Sequence, residues 1–195
     1  MRPVIIKGKR VALGLLIEED LERLWKWVND KEVTQFLAMF PRVISKEEEQ
    51  KWLQRVLQGD SNIIFAILLL PNLEHIGNLG LHKIDLINRN AELGIFIGEK
   101  KYWGQGLGEE AIILALDYAF NVLNLKKVWL RVYEFNKRAI RCYEKVGFKL
   151  VGRLRQHLFR GGRWWDVLIM DILDEEFRRK HKSIIAQMCK DVFKS

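Results

Sequence analysis

The sequence predicts one mixed α/β (α+β) domain. Three observations carry this. Strand-like runs alternate with helix-like segments along the chain, neighbouring strands are joined by hairpin turns, and one apolar run passes through a glycine-dense turn straight into a helical pattern. A chain of 195 residues is long enough for one full core and short for two. An apolar share of 49% beside 30% charged residues describes a soluble globular chain. Its longest apolar run, Ile63 to Pro71, is strand-sized and falls short of the ~18–20 residues that span a bilayer. The N-terminus carries Lys7 and no signal-like apolar stretch, and Cys142 and Cys189 give neither a disulfide framework nor zinc spacing. A cytoplasmic protein with no metal and no membrane contact is the expectation.

Val11 to Leu16 alternates weakly and is expected as the first strand. Glu18-Glu19-Asp20 opens a helix with Leu21, Leu24, Trp25 and Val28 on one face, ending near Asn29-Asp30; the acids suit its dipole. Thr34 to Val43, broken by Pro41, reads as an irregular apolar loop that either lines a cleft or packs beneath that helix. Ser45-Lys46-Glu47-Glu48 is a capping box, and its helix runs to about Gln58-Gly59 with Trp52, Leu53, Val56 and Leu57 inward. Ile63 to Leu70 is near-continuously apolar, as a central strand is. Pro71-Asn72 turns the chain into a strand over Ile76 to Leu86, where Gly77 or Gly80 marks a bulge. Asn88-Arg89-Asn90 is a hairpin turn into the strand Ala91–Ile97.

The stretch Gly98 to Ala111 follows that strand and leads into Ala111, Ile112, Leu114, Ala115, Leu116, Tyr118 and Ala119 at helical spacing. Gly104, Gly106 and Gly108 fall on alternate residues, which lets successive N–H groups converge beside the positive end of the helix. No Gly-Lys-Ser/Thr closes the loop, and the dinucleotide spacing is absent. A phosphate site and a tight strand-to-helix turn both fit the glycines alone. Glu109 and Glu110 suit the dipole, yet would repel a phosphate if they pointed at it.

Lys127 to Tyr133 alternates as a further strand. Asn136 caps a helix over Lys137 to Val146, which stops at Gly147 with Phe148 behind it. Lys149 to Gly152 begins a strand pair closed by Arg160-Gly161-Gly162-Arg163, and Trp165 to Ile172 returns. From Asp174 a charged amphipathic helix carries Ile184, Ile185, Met188 and Val192 on one stripe, which either packs back or makes a homodimer. The formal charge is +8, but Lys126 to Arg163 holds twelve Lys and Arg against Glu134 and Glu144, so that segment alone carries +10 and the remainder −2. A local anionic partner is implied, either RNA or a ligand with several phosphates.

Strand, hairpin, strand, then Trp103-Gly-Gln-Gly-Leu-Gly108 opening a helix, then Asn136-Lys-Arg-Ala-Ile-Arg-Cys-Tyr143-Glu-Lys-Val-Gly147-Phe148, and finally Arg160-Gly-Gly-Arg-Trp-Trp-Asp166-Val-Leu-Ile-Met170: this order resembles the GNAT N-acetyltransferase superfamily. It looks closest to the branch holding ribosomal-protein N-terminal and spermidine acetyltransferases. The resemblance covers about residues 5 to 173. Trp103 stands where the family usually has Arg or Gln, and Ala139 where it has a small hydroxyl residue.

The resemblance implies a twisted, mostly antiparallel sheet splayed at a cofactor cleft, with helices on both faces, over residues 1–173, followed by a terminal helix over 174–195. It implies acetyl-CoA as co-substrate, with the pantetheine arm beside Ile95, Phe96 and Ile97 in the manner of an added strand. The diphosphate would rest on the loop Trp103, Gly104, Gln105, Gly106, Leu107 and Gly108, and an N–H of the strand would stabilise the oxyanion. Asn136 would reach the arm, with Lys100, Lys101, Lys137, Arg138 and Arg141 flanking the groove. Tyr143 is the implied acid for the departing thiolate; spacing alone reads it first as a core tyrosine with a bonded hydroxyl, and the resemblance reverses that. Glu92 is the candidate base, directly or through water, or a plain strand glutamate. His82 and His157 are other possible bases, and Cys142 reads as structural. The acceptor would be a protein N-terminus or a small amine or polyamine. The alternative is an RNA- or ribosome-binding module with this fold, using the basic, aromatic stretch Arg153 to Trp165.

Overall fold

The computed structural model describes residues 2–38, 42–59 and 62–187. Its strands are β1 (Val4–Lys7), β2 (Val11–Gly14), β3 (Ile63–Leu69), β4 (Glu74–Asp85), β5 (Asn90–Ile97), β6 (Lys127–Tyr133), β7 (Lys149–Arg160) and β8 (Arg163–Leu173). The helices are α1 (Leu21–Asn29), the short α2 (Lys31–Thr34), α3 (Lys46–Gln58), α4 (Leu107–Asn121), α5 (Lys137–Val146) and α6 (Asp174–Lys180). The strands make one sheet in the order β1-β2-β3-β4-β5-β6-β8-β7. Every neighbouring pair is antiparallel except β5 and β6, whose crossover is α4. The expected single mixed domain is therefore what the chain forms.

Strand alternation sends the two faces of the sheet to different helices. Val11, Leu13, Phe65, Ile67, Leu93, Val128, Leu130 and Val132 meet α4, α5 and Phe177 of α6 in the larger core. Ala12, Ala66, Leu68 and Phe96 meet α1, α2 and α3 in the smaller one. The bulge in β4 falls beside Gly77, where pairing with β3 skips from Gly77 to His75. Gly77 is obligatory there, because a Cβ would lie 2.2 Å from the Phe96 carbonyl oxygen.

Helix periods were legible, but two phases were not. In α1 the buried residues are Leu24, Trp27 and Val28, whereas the Trp25 indole sits at the border and donates to the Ile44 carbonyl at 2.9 Å. In α3 the Ser45 hydroxyl accepts from Glu48 N–H at 3.1 Å, as the capping box requires, yet the inward row begins at Glu49 and continues through Leu53. Leu57, expected inward, is 42% exposed, while Glu49 is only 4% exposed. Burial, helped by the charge of Glu48, pushes the Glu49 carboxyl up to about 7. A carboxyl raised in the fold is held neutral, so stability falls as pH climbs from its ordinary 4.5 through 7. Glu49→Gln is expected to raise Tm at pH 8 and to change it little at pH 4.5, read by thermal melts at both; each kcal/mol is worth about 2–4 °C at this size.

The terminal segment is not one continuous helix. α6 ends at Lys180, where the His181 ring meets the Val146 carbonyl at 2.7 Å. A new helical turn starts at residue 184, capped by buried Asp117, which accepts from the N–H groups of Ile184 (2.8 Å) and Ile185 (3.1 Å). Ile184 and Ile185 pack on the larger core, while Met188 and Val192 of the expected stripe lie outside the described residues.

Candidate active site

β5 and β6 pair only at Asn90–Lys127, Ala91–Val128 and Glu92–Trp129. Beyond this, β5 stays with β4 to Ile97, and β6 stays with β8 to Tyr133. Each strand is held by its outer neighbour, so the two diverge and leave a cleft of about 670 Å³. Backbone direction follows from two bonds. Gly98 N–H donates to Ile76 of β4, and Lys127 N–H donates to the Arg89 carbonyl on the β6 side. Odd-numbered residues of β5 therefore point their peptide groups at β6, and those of Leu93 and Ile95 face the open gap. Ile97 closes the series, its carbonyl taken by the Trp103 indole N–H at 2.7 Å.

That indole bond brings the glycine loop to the end of the cleft. Gly104 and Gly106 have φ of +77° and +75°, the left-handed region that disfavours side chains. Gly106 is the N-cap of α4 and no side chain caps the helix. Among the described residues no protein acceptor takes the N–H groups of Gly104 to Glu109. Free amides and the positive helix end converge on the same place. Glu110 does not oppose an anion there. Its carboxylate accepts from the N–H groups of Lys9 (2.7 Å) and Arg10 (2.8 Å), and the Arg10 side chain bonds both it and the Gln105 carbonyl. Burial raises the Glu110 carboxyl, but these donors outweigh it and hold it below the usual range.

Of the cations expected around the cleft, the two arginines line it and the three lysines do not. Arg138, Arg141 and Lys145 line it, with the Arg138 guanidinium 4.2 Å from the Trp103 ring centre. Lys100 is paired with Asp30 (2.9 Å) and Glu32 (3.0 Å), and Lys101 with Glu74 (3.1 Å). Lys137 lines a separate surface hollow with Phe135 and Trp164. Asn136 caps α5 by accepting from Ala139 N–H at 3.2 Å and also lines the cleft.

α5 presents Tyr143 from the larger-core side. The residue is 8% exposed and lines the cleft; its hydroxyl makes no hydrogen bond among the described residues, and burial pushes the phenol well up. Cys142, which the sequence reads as structural, also meets the cleft wall. Burial and the charge of Glu109 push its thiol up to about 11, which keeps it protonated and poorly nucleophilic.

Glu92 lies on the opposite face of β5, bonded to Arg131 Nε at 2.7 Å and paired with Lys83 Nζ at 2.8 Å. Burial raises its carboxyl, but the two cations outweigh this and hold it below the usual range, which weakens it as a base. His157 lines the cleft, while His82 lies along the sheet over Gly80 and Gly94, its Nε2 3.3 Å from where a Gly94 Cβ would stand. Sequence reasoning missed Phe36, Arg131 and Arg160. Arg160 donates to the carbonyls of Gln35 and Leu37 and so ties the loop after α2 to the β7–β8 hairpin. Alternation along Lys127 to Tyr133 already places Arg131 and Tyr133 on one face, and that was the available signal for Arg131.

A family model described as an acetyltransferase (GNAT) domain matches residues 10–149. The uncharacterized N-acetyltransferase p20 of Bacillus licheniformis is 30% identical over 173 residues, spanning 87% of this chain and 96% of that protein. Spermidine N(1)-acetyltransferase of Escherichia coli K12 is 37% identical over 110 residues, 56% of this chain and 59% of the relative. A solved structure of the Vibrio cholerae spermidine N-acetyltransferase, in complex with CoA and spermine, superimposes with a TM-score of 0.80 at 28% identity, covering 88% of this chain and 99% of that one.

Proposed function

The chain belongs to the GNAT acetyltransferase family, and on that premise we propose that it acetylates a primary amine delivered to the open side of the β5–β6 cleft. One observation carries the reading: an unpaired strand edge and a run of unpaired amides end on the same cleft. Acetyl-CoA supplies an activated acyl carbon. The free amides of Gly104 to Glu109 suit a diphosphate, and Arg138, Arg141 and Lys145 supply charge beside them. The open edge at Leu93 and Ile95 suits an amide-bearing arm laid as an added strand, with Ile95, Phe96 and Ile97 walling it. An N–H of that edge is placed to donate to a developing oxyanion, a contribution often worth ~3–4 kcal/mol.

Two protons must move. Burial disfavours the phenolate and keeps Tyr143 protonated, and in this proposal its hydroxyl gives the proton to the departing sulfur, a transfer that the raised proton affinity makes harder. The acceptor ammonium must lose one first. Glu92 takes it through water in this proposal, although Lys83 and Arg131 lower its proton affinity. A second reading rests on the exposed, mutually packed rings of Phe159 and Trp164 on a hairpin that also exposes Arg155 and Arg163, a surface suited to single-stranded RNA.

Calorimetry with acetyl-CoA, run beside CoA release from a panel of spermidine, peptide N-termini, an aminoglycoside and benzylamine, tests the proposal. Saturable acetyl-CoA binding and turnover of at least one amine are expected. No acetyl-CoA binding, together with RNA binding that falls steeply with salt, would replace it with the second reading.

A further inference from the structure

Resting on the amine-acetylation reading, the geometry points to an acceptor that carries a carboxylate, with Arg131 as the residue that selects it. The two faces of the cleft differ in charge. On the face away from Tyr143, the cleft wall offers one carboxylate, Glu92, and it is held by two cations at 2.7 and 2.8 Å. Other acids on the surrounding elements are committed too. Asp30 and Glu32 pair with Lys100, Glu134 accepts from the Asp166 N–H at 2.9 Å, and Asp166 pairs with Arg153 at 3.0 Å. Among the described residues, these acids leave a polycationic amine no carboxylate without a donor already on it, and it would have to approach Arg131 and Lys83 against like charge.

Arg131 has what an anion needs. Glu92 engages only its Nε, and no described residue accepts from its two terminal nitrogens. Its side chain is 45% exposed and lines the cleft just past the last β5–β6 pair, Glu92–Trp129 being followed by Leu130 and then Arg131 on the free part of β6. Glu92 fixes the guanidinium plane through Nε, so the terminal pair is preorganised as a fork for a carboxylate. Phe36, Leu37, Tyr133 and Leu158 line the same cleft, which suits an apolar body between amine and carboxylate.

The test compares probes that differ by one carboxylate. Benzylamine, 3- and 4-(aminomethyl)benzoate and spermidine are offered to the native protein and to Arg131→Gln and Arg131→Lys, reading kcat/KM for the amine and, separately, the Kd of acetyl-CoA. The native protein is expected to favour the better aminomethylbenzoate over benzylamine by at least ten-fold and over spermidine by more. Arg131→Gln should bring the ratio to benzylamine near one, Arg131→Lys should keep some of it, and acetyl-CoA affinity should not move. Equal use of benzylamine and both benzoates, a preference for spermidine, an unchanged ratio in Arg131→Gln, or no turnover of any benzylic probe would each overturn the inference. Loss of acetyl-CoA binding by the native protein would instead strike the cofactor reading beneath it.

Discussion

Gly106→Val is expected to weaken acetyl-CoA binding by a hundred-fold or more while the protein still folds cooperatively. The residue sits at φ +75°, where a β-branched side chain is strained by ~1–3 kcal/mol. The space around it is open: an added Cβ would meet only an Arg10 guanidinium nitrogen, at 3.3 Å. The damage is therefore conformational and not a core clash. Relieving the strain turns the peptide planes on either side of Gly106, and those planes carry the amides that face the cleft. A hundred-fold loss corresponds to about 2.7 kcal/mol, the size expected when a few anion-binding donors lose alignment. Gly161→Val is the matched control. It has φ +62° at the hairpin tip and nothing within 4 Å of an added Cβ, so it should cost similar stability and leave acetyl-CoA affinity alone. Calorimetry and thermal melts on both variants separate backbone strain from loss of the site.

Tyr143→Phe is expected to lower kcat ten-fold or more, about 1.4 kcal/mol in the barrier, with acetyl-CoA affinity and Tm nearly unchanged. The phenol is buried and protonated, and its hydroxyl bonds to no described residue, so deleting the oxygen breaks no internal hydrogen bond. The ring keeps its edge contact with Phe148, whose centroid lies 5.8 Å away. A tyrosine serving only as core would therefore leave turnover intact. Single-turnover rates separate the two roles cleanly, because an acid for the leaving sulfur acts in the chemical step and not in binding. Unchanged single-turnover rates would remove Tyr143 from the mechanism.

Much of the scaffold could be read from residues because local rules and tertiary packing agree there. Asn136 and Gly147 bracket α5 as cap and stop, Ser45 and Glu48 open α3, and the glycine pair at 161 and 162 closes the β7–β8 hairpin. The loop glycines 104 and 106 take the positive φ that their alternation suggested. What could not be read depends on partners distant in sequence. Glu110 looked like a threat to a phosphate until the β1–β2 turn, a hundred residues earlier, claimed its oxygens. Lys100 and Lys101 looked like phosphate ligands, but Asp30, Glu32 and Glu74 hold them. Asp117 is an ordinary helix residue until the C-terminal segment docks on it. Glu49 broke the inward row of α3 because hydrophobic periodicity has no place for a buried acid. Arg131 gains its meaning from the divergence of β5 and β6 just before it, which no local pattern in β6 announces.

The most direct test of the central claim follows the backbone amides of Gly104 to Glu109 by ¹⁵N NMR as acetyl-CoA is added. Those six amides are expected to shift together, saturate at the calorimetric stoichiometry and gain protection from hydrogen exchange, while the hairpin Arg153 to Trp165 stays largely unmoved. Saturable acetyl-CoA binding that leaves these amides untouched and perturbs the hairpin instead would contradict the account.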